Sequence, residues 1–454
     1  MDAICMSSSP KRQKIDEGEK VGENEDRISQ LPDCILHCIL SLLPTKDAVA
    51  ACILSKRWQD LWISVTNLDL KCPGNYRKGE DWKKKSFTHF MEKVLLHPSS
   101  NIKKFRLSLD DSLHHSFLNT WILAAVRRQV QELRLSLPQR NFLLPDCLST
   151  CSTLSTLKLK VDILKLPGSF CLPNLTVLHL CDLHFGDNVS THKLFSGLTV
   201  LEELELTRCK WRRVHSTISI STLKILALDT LDISFYASEA FHNGRCHLRV
   251  YVENLIYFSF TGDLKVDLLL VNSSLLVDAS ILLEGSVRMR DDKASSHAAN
   301  LFDGIRFARS IKIDDDTMKR LFDIVEEVKM IPKYGYLTSL EVNATVMRET
   351  SYVLKDFLRN SPILESLVVK KVHGGRWSRC PMLSLKTCSL KYFSGLEPEI
   401  SFLTFVLKRC AVLERIKVYC EKCLSRNPEK LECISKQLEK ALPKDSKSCV
   451  IEFL

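Results

Sequence analysis

Glycine is scarce in this chain, with fifteen in 454 residues. None of them builds the Gly-rich strand-to-helix turn that cradles phosphates, and no serine sits between paired glycines as in a hydrolase elbow. Nucleotide and acyl chemistry are therefore not expected, and no catalytic residue or cofactor is assigned. Long apolar runs are missing too. The longest, Leu264 to Leu283, is interrupted by Lys265, Asp267 and Asp278, charges that are costly at a bilayer centre, so no membrane span is expected. Met1 to Lys20 lacks the apolar run of a secretory signal, which leaves the eighteen cysteines expected as reduced thiols. Nothing near any of them marks an activated thiolate. The one close cysteine pair, Cys420 and Cys423, has only Cys410 and Cys433 beside it, and no histidine follows His373, so no metal site is expected. The formal charge of +10 is scattered in doublets such as Lys370 and Lys371 rather than gathered in a stripe, which argues against a nucleic-acid partner.

What is present divides by texture. Residues 1–26 are polar and densely charged, with too little apolar surface to offset ordering entropy, and read as a disordered tail. Lys11, Arg12 and Lys14 within it form a short basic cluster of the kind nuclear-import receptors read, so nuclear or cytoplasmic residence is expected. From Arg27 to Trp62, twenty of thirty-six residues are apolar, against 45% for the whole chain. Ile35, Leu36, Ile39, Leu40 and Leu43 recur at helical spacing, Pro44 ends that helix, and Thr45 and Ser55 can cap a second and a third. Three short helices bury too little surface to shelter their own apolar side chains. Either the following repeats or a partner must cover them.

Asp26-Arg27-Ile28-Ser29, Leu31-Pro32-Asp33, Leu43-Pro44-Thr45-Lys46-Asp47, Leu54-Ser55-Lys56-Arg57-Trp58 and Leu61-Trp62 together closely resemble the plant F-box over about thirty-seven residues. In that family the unit docks on a Skp-type adaptor linked to a cullin. The resemblance implies that an adaptor covers an apolar surface here, made by Leu31, Pro32, Ile35, Leu36, Ile39, Leu43, Pro44, Leu54, Trp58, Leu61 and Trp62, within an F-box of residues 27–64.

Beyond it, an apolar residue, two variable, an apolar residue, one variable and an apolar residue recur twelve times, from Val65, Leu68, Leu70 to Leu413, Ile416, Val418. This spacing marks leucine-rich repeats, assigned to residues 65–375. Leu148, Cys151, Leu154 aligns with Leu358, Ser361, Leu364 and with Leu407, Cys410, Leu413, which puts a small residue inward before each strand. Strand spacing varies from 21 to 32 residues, and Thr261 to Ser310 fits worst, with Asn272 to Ile281 read as a strand and Asp291 to His297 as a polar loop. Residues 376–454 resemble the FBD domain of plant F-box proteins, chiefly in Leu407 to Val418 and in the closing Cys449 to Leu454, which suits a capping strand.

The expected fold is thus α/β: a three-helix F-box, an irregular leucine-rich-repeat solenoid and an FBD cap. The resemblance implies a non-enzymatic receptor of a Skp–cullin–F-box ubiquitin ligase, while a repeat scaffold without ligase role and a small-molecule receptor remain alternatives. Strand alternation turns the residues between the inward leucines onto the concave surface, among them Glu132, Arg134, Lys158, His179, Glu203 and Glu205. Their mixed charge suits a protein target better than a nucleic acid.

Overall fold

The computed structural model describes residues 28–454, apart from 59–60, 73–80, 97–100, 110–114, 139–140, 212–214, 230–245, 285–293, 326–330, 378–381 and 443–448 and the single residues 29, 169, 186, 265, 376 and 411. The tail with Lys11, Arg12 and Lys14 lies outside the described residues. The chain separates into two compact units, residues 1–65 and 66–454.

The first unit holds helices α1, Asp33–Leu42, and α2, Thr45–Ala50, followed by 3-10 turns at Ala51–Ile53, Lys56–Trp58 and Leu61–Ser64. Pro44 disfavours helical geometry at the residue before it, and Leu43 accordingly turns out of α1 at φ −88° and ψ 150°. Two sequence expectations change. Pro44 rather than Thr45 occupies the N-cap of α2, and Thr45 is buried inside the helix. Among the described residues the third segment holds no α-helix: it is too short to repay α-helical nucleation and forms 3-10 turns instead. Leu36, Leu40, Ala48, Trp58 and Val65 form the core of this unit, so Val65 belongs here and not to the first repeat.

The second unit is built on one parallel sheet of fifteen strands. In chain order these are β1 Asn67–Cys72, β2 Lys104–Leu109, β3 Glu132–Ser136, β4 Thr156–Lys160, β5 Val177–Cys181, β6 Glu203–Thr207, β7 Ile225–Asp229, β8 Tyr257–Gly262, β9 Asp278–Leu283, β10 Ser310–Asp314, β11 Ser339–Val346, β12 Ser366–Val372, β13 Thr387–Phe393, β14 Arg415–Cys420 and β15 Val450–Phe453. Sequential strands are neighbours throughout, which is the topology of a stacked repeat. The inward pair of each strand from β1 to β14, such as Leu204 with Leu206 and Leu226 with Leu228, is at most a few per cent exposed, whereas the residues between are more open to solvent; in β15, Ile451 and Phe453 are only partly buried. Side chains knit the turns before the strands: Asn174 Nδ2 donates to the Ser152 carbonyl at 2.6 Å, and Asn254 Nδ2 to that of Ser221 at 2.7 Å.

The small inward residues behave as the alignment requires. Cys151, Ser361 and Cys410 are buried, and the described cysteines are free thiols. Burial raises the Cys388 thiol well above its ordinary range and the Cys209 thiol to about 12, which leaves both protonated and inert at neutral pH.

In the stretch the repeat template fitted worst, one strand of the large sheet, β9, is present, and a second, β10, begins at its end. Leu276 precedes β9, which carries Ala279 and Ile281, and Ala308 precedes β10, which carries Ile311 and Ile313, all buried at the repeat positions. Asn272 to Ile281 is therefore not one strand. Val266–Val271 ends before it, residues 272–277 turn, and β9 begins at Asp278. Val266–Val271 joins His215–Ser219 and Cys246–Tyr251 in a separate three-stranded parallel sheet, so some return segments are extended rather than helical. Of the expected loop from Asp291 to His297, residues 291–293 lie outside the described residues, but Ala294–Gly304 is helical. His297 is buried there, 2.6 Å from the Leu264 carbonyl, because the helix packs its apolar face on Val266–Val271.

Candidate functional site

The eleven apolar residues expected to meet a partner divide into three groups. Pro32, Ile35, Leu43, Pro44 and Leu54 are exposed, Leu54 at 65%. Leu31, Ile39 and Leu61 lie half-buried against the core, and Trp62 is also half-buried. Leu36 and Trp58, at 0% and 3% exposure, are corrections: they are the unit's own core and cannot touch a partner in this conformation. A helical stripe contains both the residues that face the core and those that flank it, and spacing alone does not separate them.

Sequence reasoning also missed two residues. Among the described residues of this unit, Leu42 at 85% and Ile53 at 88% are the most exposed apolar side chains. Leu42 stands off the helical stripe of α1 and Ile53 closes a 3-10 turn. An unsheltered leucine off the stripe was the available signal. Asp33 and Arg57, paired through Oδ1 and Nη2 at 2.5 Å, fasten the start of α1 to the 3-10 turn at Lys56–Trp58.

The second candidate is the open face of the fifteen-stranded sheet. Strand register places the six expected residues there in two rows. Glu132, Thr156, Val177, Glu203 and Ile225 are successive partners in one, and Arg134, Lys158, His179, Glu205 and Ala227 in the next. His179 lies between two carboxylates, its Nε2 2.5 Å from Glu203 Oε1 and its Nδ1 3.0 Å from Glu205 Oε2. A neutral imidazole has one N–H, so both contacts are hydrogen bonds only in the doubly protonated ring. Among the described residues these three are the one histidine and carboxylate group whose ligand atoms, all within 4.8 Å of one another, could share a cation. Their intimacy was not anticipated, although equivalent positions on successive strands imply it.

Elsewhere on this face most charges are matched. Lys104 meets Glu132 at 3.1 Å and Arg106 meets Asp69 at 3.5 Å. Lys312 and Lys391 share Glu341 at 3.5 and 2.9 Å, and Lys370 reaches Asp315 at 3.5 Å. The Lys391 hydrogen bond outweighs desolvation and holds the Glu341 carboxyl below its usual range, with Lys312 adding to the effect. Further along, Ser366, Thr387, Ser389, Glu414, Arg415 and Lys417 line a depression of about 300 Å³. No reading of the repeats singled it out.

Comparison with known proteins places three domain families along the chain. The F-box domain matches residues 28–69, the LRR domain described as At1g61320/AtMIF1 matches 94–380, and the FBD matches 378–418. Among curated proteins of Arabidopsis thaliana, the F-box/FBD/LRR-repeat protein At1g51370 is 28% identical, covering 99% of this chain and 100% of its own length. The F-box/FBD/LRR-repeat protein At4g26340 is also 28% identical, over 86% of this chain and 92% of its own. The F-box/LRR-repeat protein At3g59190 is 29% identical over 78% of this chain and 94% of its own.

Proposed function

The chain belongs to the F-box/FBD/LRR-repeat proteins, and from that premise we propose that it is the substrate-recognition subunit of a Skp–cullin–F-box ubiquitin ligase. The observation that carries this reading is the set of exposed apolar side chains on the small N-terminal unit: Ile35, Leu42, Leu43, Ile53 and Leu54. A unit of this size gains nothing by leaving them in water, whereas an adaptor surface that covers them removes apolar area at both partners. The receptor has no chemical step to perform. It holds the adaptor by one unit and the target by the other, which raises the target's effective concentration at the ligase.

The open face around Arg134, Lys158, His179, Glu203 and Glu205 is the proposed target surface. It carries charges of both signs, Arg134 and Lys158 beside Glu203 and Glu205, which discriminates among protein partners and disfavours a uniform polyanion. Affinity purification of the full chain after proteasome inhibition tests the assignment. The Skp-type adaptor and a cullin should co-purify, and deletion of residues 27–62 should abolish both. Undiminished adaptor recovery by the deleted chain would remove the reading. Nuclear or shared nuclear and cytoplasmic residence is proposed from Lys11, Arg12 and Lys14; a fluorescent fusion should lose nuclear signal when all three become alanine.

A further inference from the structure

We infer that His179 on β5, with Glu203 and Glu205 on β6, binds a zinc ion. Register builds the site. Glu205 is the strand partner of His179 and Glu203 that of Val177, so the histidine stands opposite one acid and diagonal to the other. Each of the three offers one ligand atom, and these atoms all lie within 4.8 Å of one another. Ligands held about 2.1 Å from a zinc ion in tetrahedral array stand about 3.4 Å apart, so side-chain movements on the order of an ångström close the three upon it.

These two acids lack the partners that others on the face possess. Glu132 is held by Lys104 and Arg134, and Glu341 by Lys312 and Lys391. Among the described residues, Glu203 and Glu205 form ion pairs with no lysine or arginine, only with His179, although Lys158 is the strand partner of that histidine on β4. The ring meets them with both nitrogens, at 2.5 and 3.0 Å. A neutral imidazole brings one N–H to two acceptors, which sets a lone pair against a carboxylate. A divalent ion on that nitrogen replaces the conflict with bonds, and its charge offsets both acids. Thr207 Oγ1 donates to Glu205 Oε1 at 2.9 Å, which orients the carboxylate with Oε2 toward His179, the kind of support that ligating carboxylates receive.

The donor set narrows the choice of ion. An imidazole nitrogen among the ligands disfavours magnesium and calcium, which take oxygen, and suits zinc. Sulfur takes no part: Cys181, the next residue of β5 on this face, contacts Arg208 Nη2 at 3.2 Å. All three ligand side chains are half-buried and still reach solvent, so a fourth position stays open to water or to an imidazole or carboxylate of a bound protein. Zinc binding does not depend on the ligase reading.

The test uses the purified full chain, its exposed thiols capped with iodoacetamide, stripped of metal by a chelator and titrated with zinc in a calorimeter. One equivalent should bind, and cobalt(II) in its place should give visible d–d absorption without the near-ultraviolet band of a thiolate ligand. His179→Ala, and Glu203→Gln with Glu205→Gln, should abolish uptake, while Thr207→Val, which removes only the bond that orients Glu205, should weaken it about tenfold. Lys158→Met should tighten it by removing a nearby positive charge, and Glu132→Gln, at an acid already paired, should leave it unchanged. Every variant should melt as the metal-free parent does. No zinc uptake by the parent, uptake that survives His179→Ala, or displacement of zinc by an equal concentration of magnesium overturns the inference. Adaptor co-purification, read in parallel, separates the two proposals: its loss with zinc uptake intact sinks the ligase reading alone.

Discussion

Leu36 and Leu54 are both apolar residues of the N-terminal unit, yet one is fully buried and the other is 65% exposed. Their substitutions should separate stability from recognition. Leu36→Ala opens a cavity and should cost about 2–5 kcal/mol, visible as a lowered unfolding midpoint of this unit. Ile53→Asp and Leu54→Asp place charge where the side chain already meets water, so folding should be unchanged by circular dichroism while adaptor recovery falls sharply. Intact adaptor binding by a folded Ile53→Asp, Leu54→Asp double variant would move the interface elsewhere. Two residues on the open face offer a matching contrast. Glu203→Lys with Glu205→Lys replaces both acids beside His179 and should weaken target capture while sparing adaptor binding; unaltered capture by the folded variant would exclude this part of the face.

At the level of elements, each strand of the large sheet is short and is stabilised by its neighbours rather than by its own propensity. Leu204, fully buried in β6 between β5 and β7, should cost about 2–5 kcal/mol when cut to alanine. Hydrogen exchange should then rise in those flanking strands before it rises in β1 or β15, and a uniform rise would contradict nearest-neighbour stacking. Gly395 follows β13 at φ +70°, and a Cβ there would stand 2.9 Å from Ile434 Cδ1. Gly395→Ala therefore meets both left-handed strain and a packing conflict with Pro428–Glu439, and a loss of about 1–2 kcal/mol is expected in urea unfolding. The repeats that sequence inspection passed over, β9 and β10, differ from the others in that Ala279 and Ala308 stand where most copies carry leucine or another large residue. A template built on large side chains discards them, whereas backbone hydrogen bonding to neighbouring strands admits them readily.

Across the repeat unit, the sheet continues from the strands assigned to the repeats into those of the FBD, with β12 paired to β13, β13 to β14 and β14 to β15. Ion pairs that span several repeats make its stability pH-dependent. Glu341 on β11 is held by Lys391 on β13, and its folded pKa lies below the ordinary value. Its contribution is complete above the ordinary carboxylate range and is lost as pH falls through the depressed folded value. Thermal melts should thus decline on acidification through and below that range, and Glu341→Gln should flatten part of the decline. An unchanged slope in the variant would assign the acid sensitivity to other carboxylates.

The sequence alone determined the repeat register of twelve strands and the closing strand, because both follow from short-range spacing of apolar residues, while the order of units followed from the motifs that resemble the F-box and the FBD. It also determined which side chains face the open surface, since alternation along a strand has a fixed period. Tertiary structure decided what spacing does not encode. Leu36 and Trp58 turn inward while Leu42 and Ile53 stay out, because a stripe specifies a direction and not what covers it. His179 meets Glu203 and Glu205 only because parallel pairing brings residues more than twenty positions apart to one place.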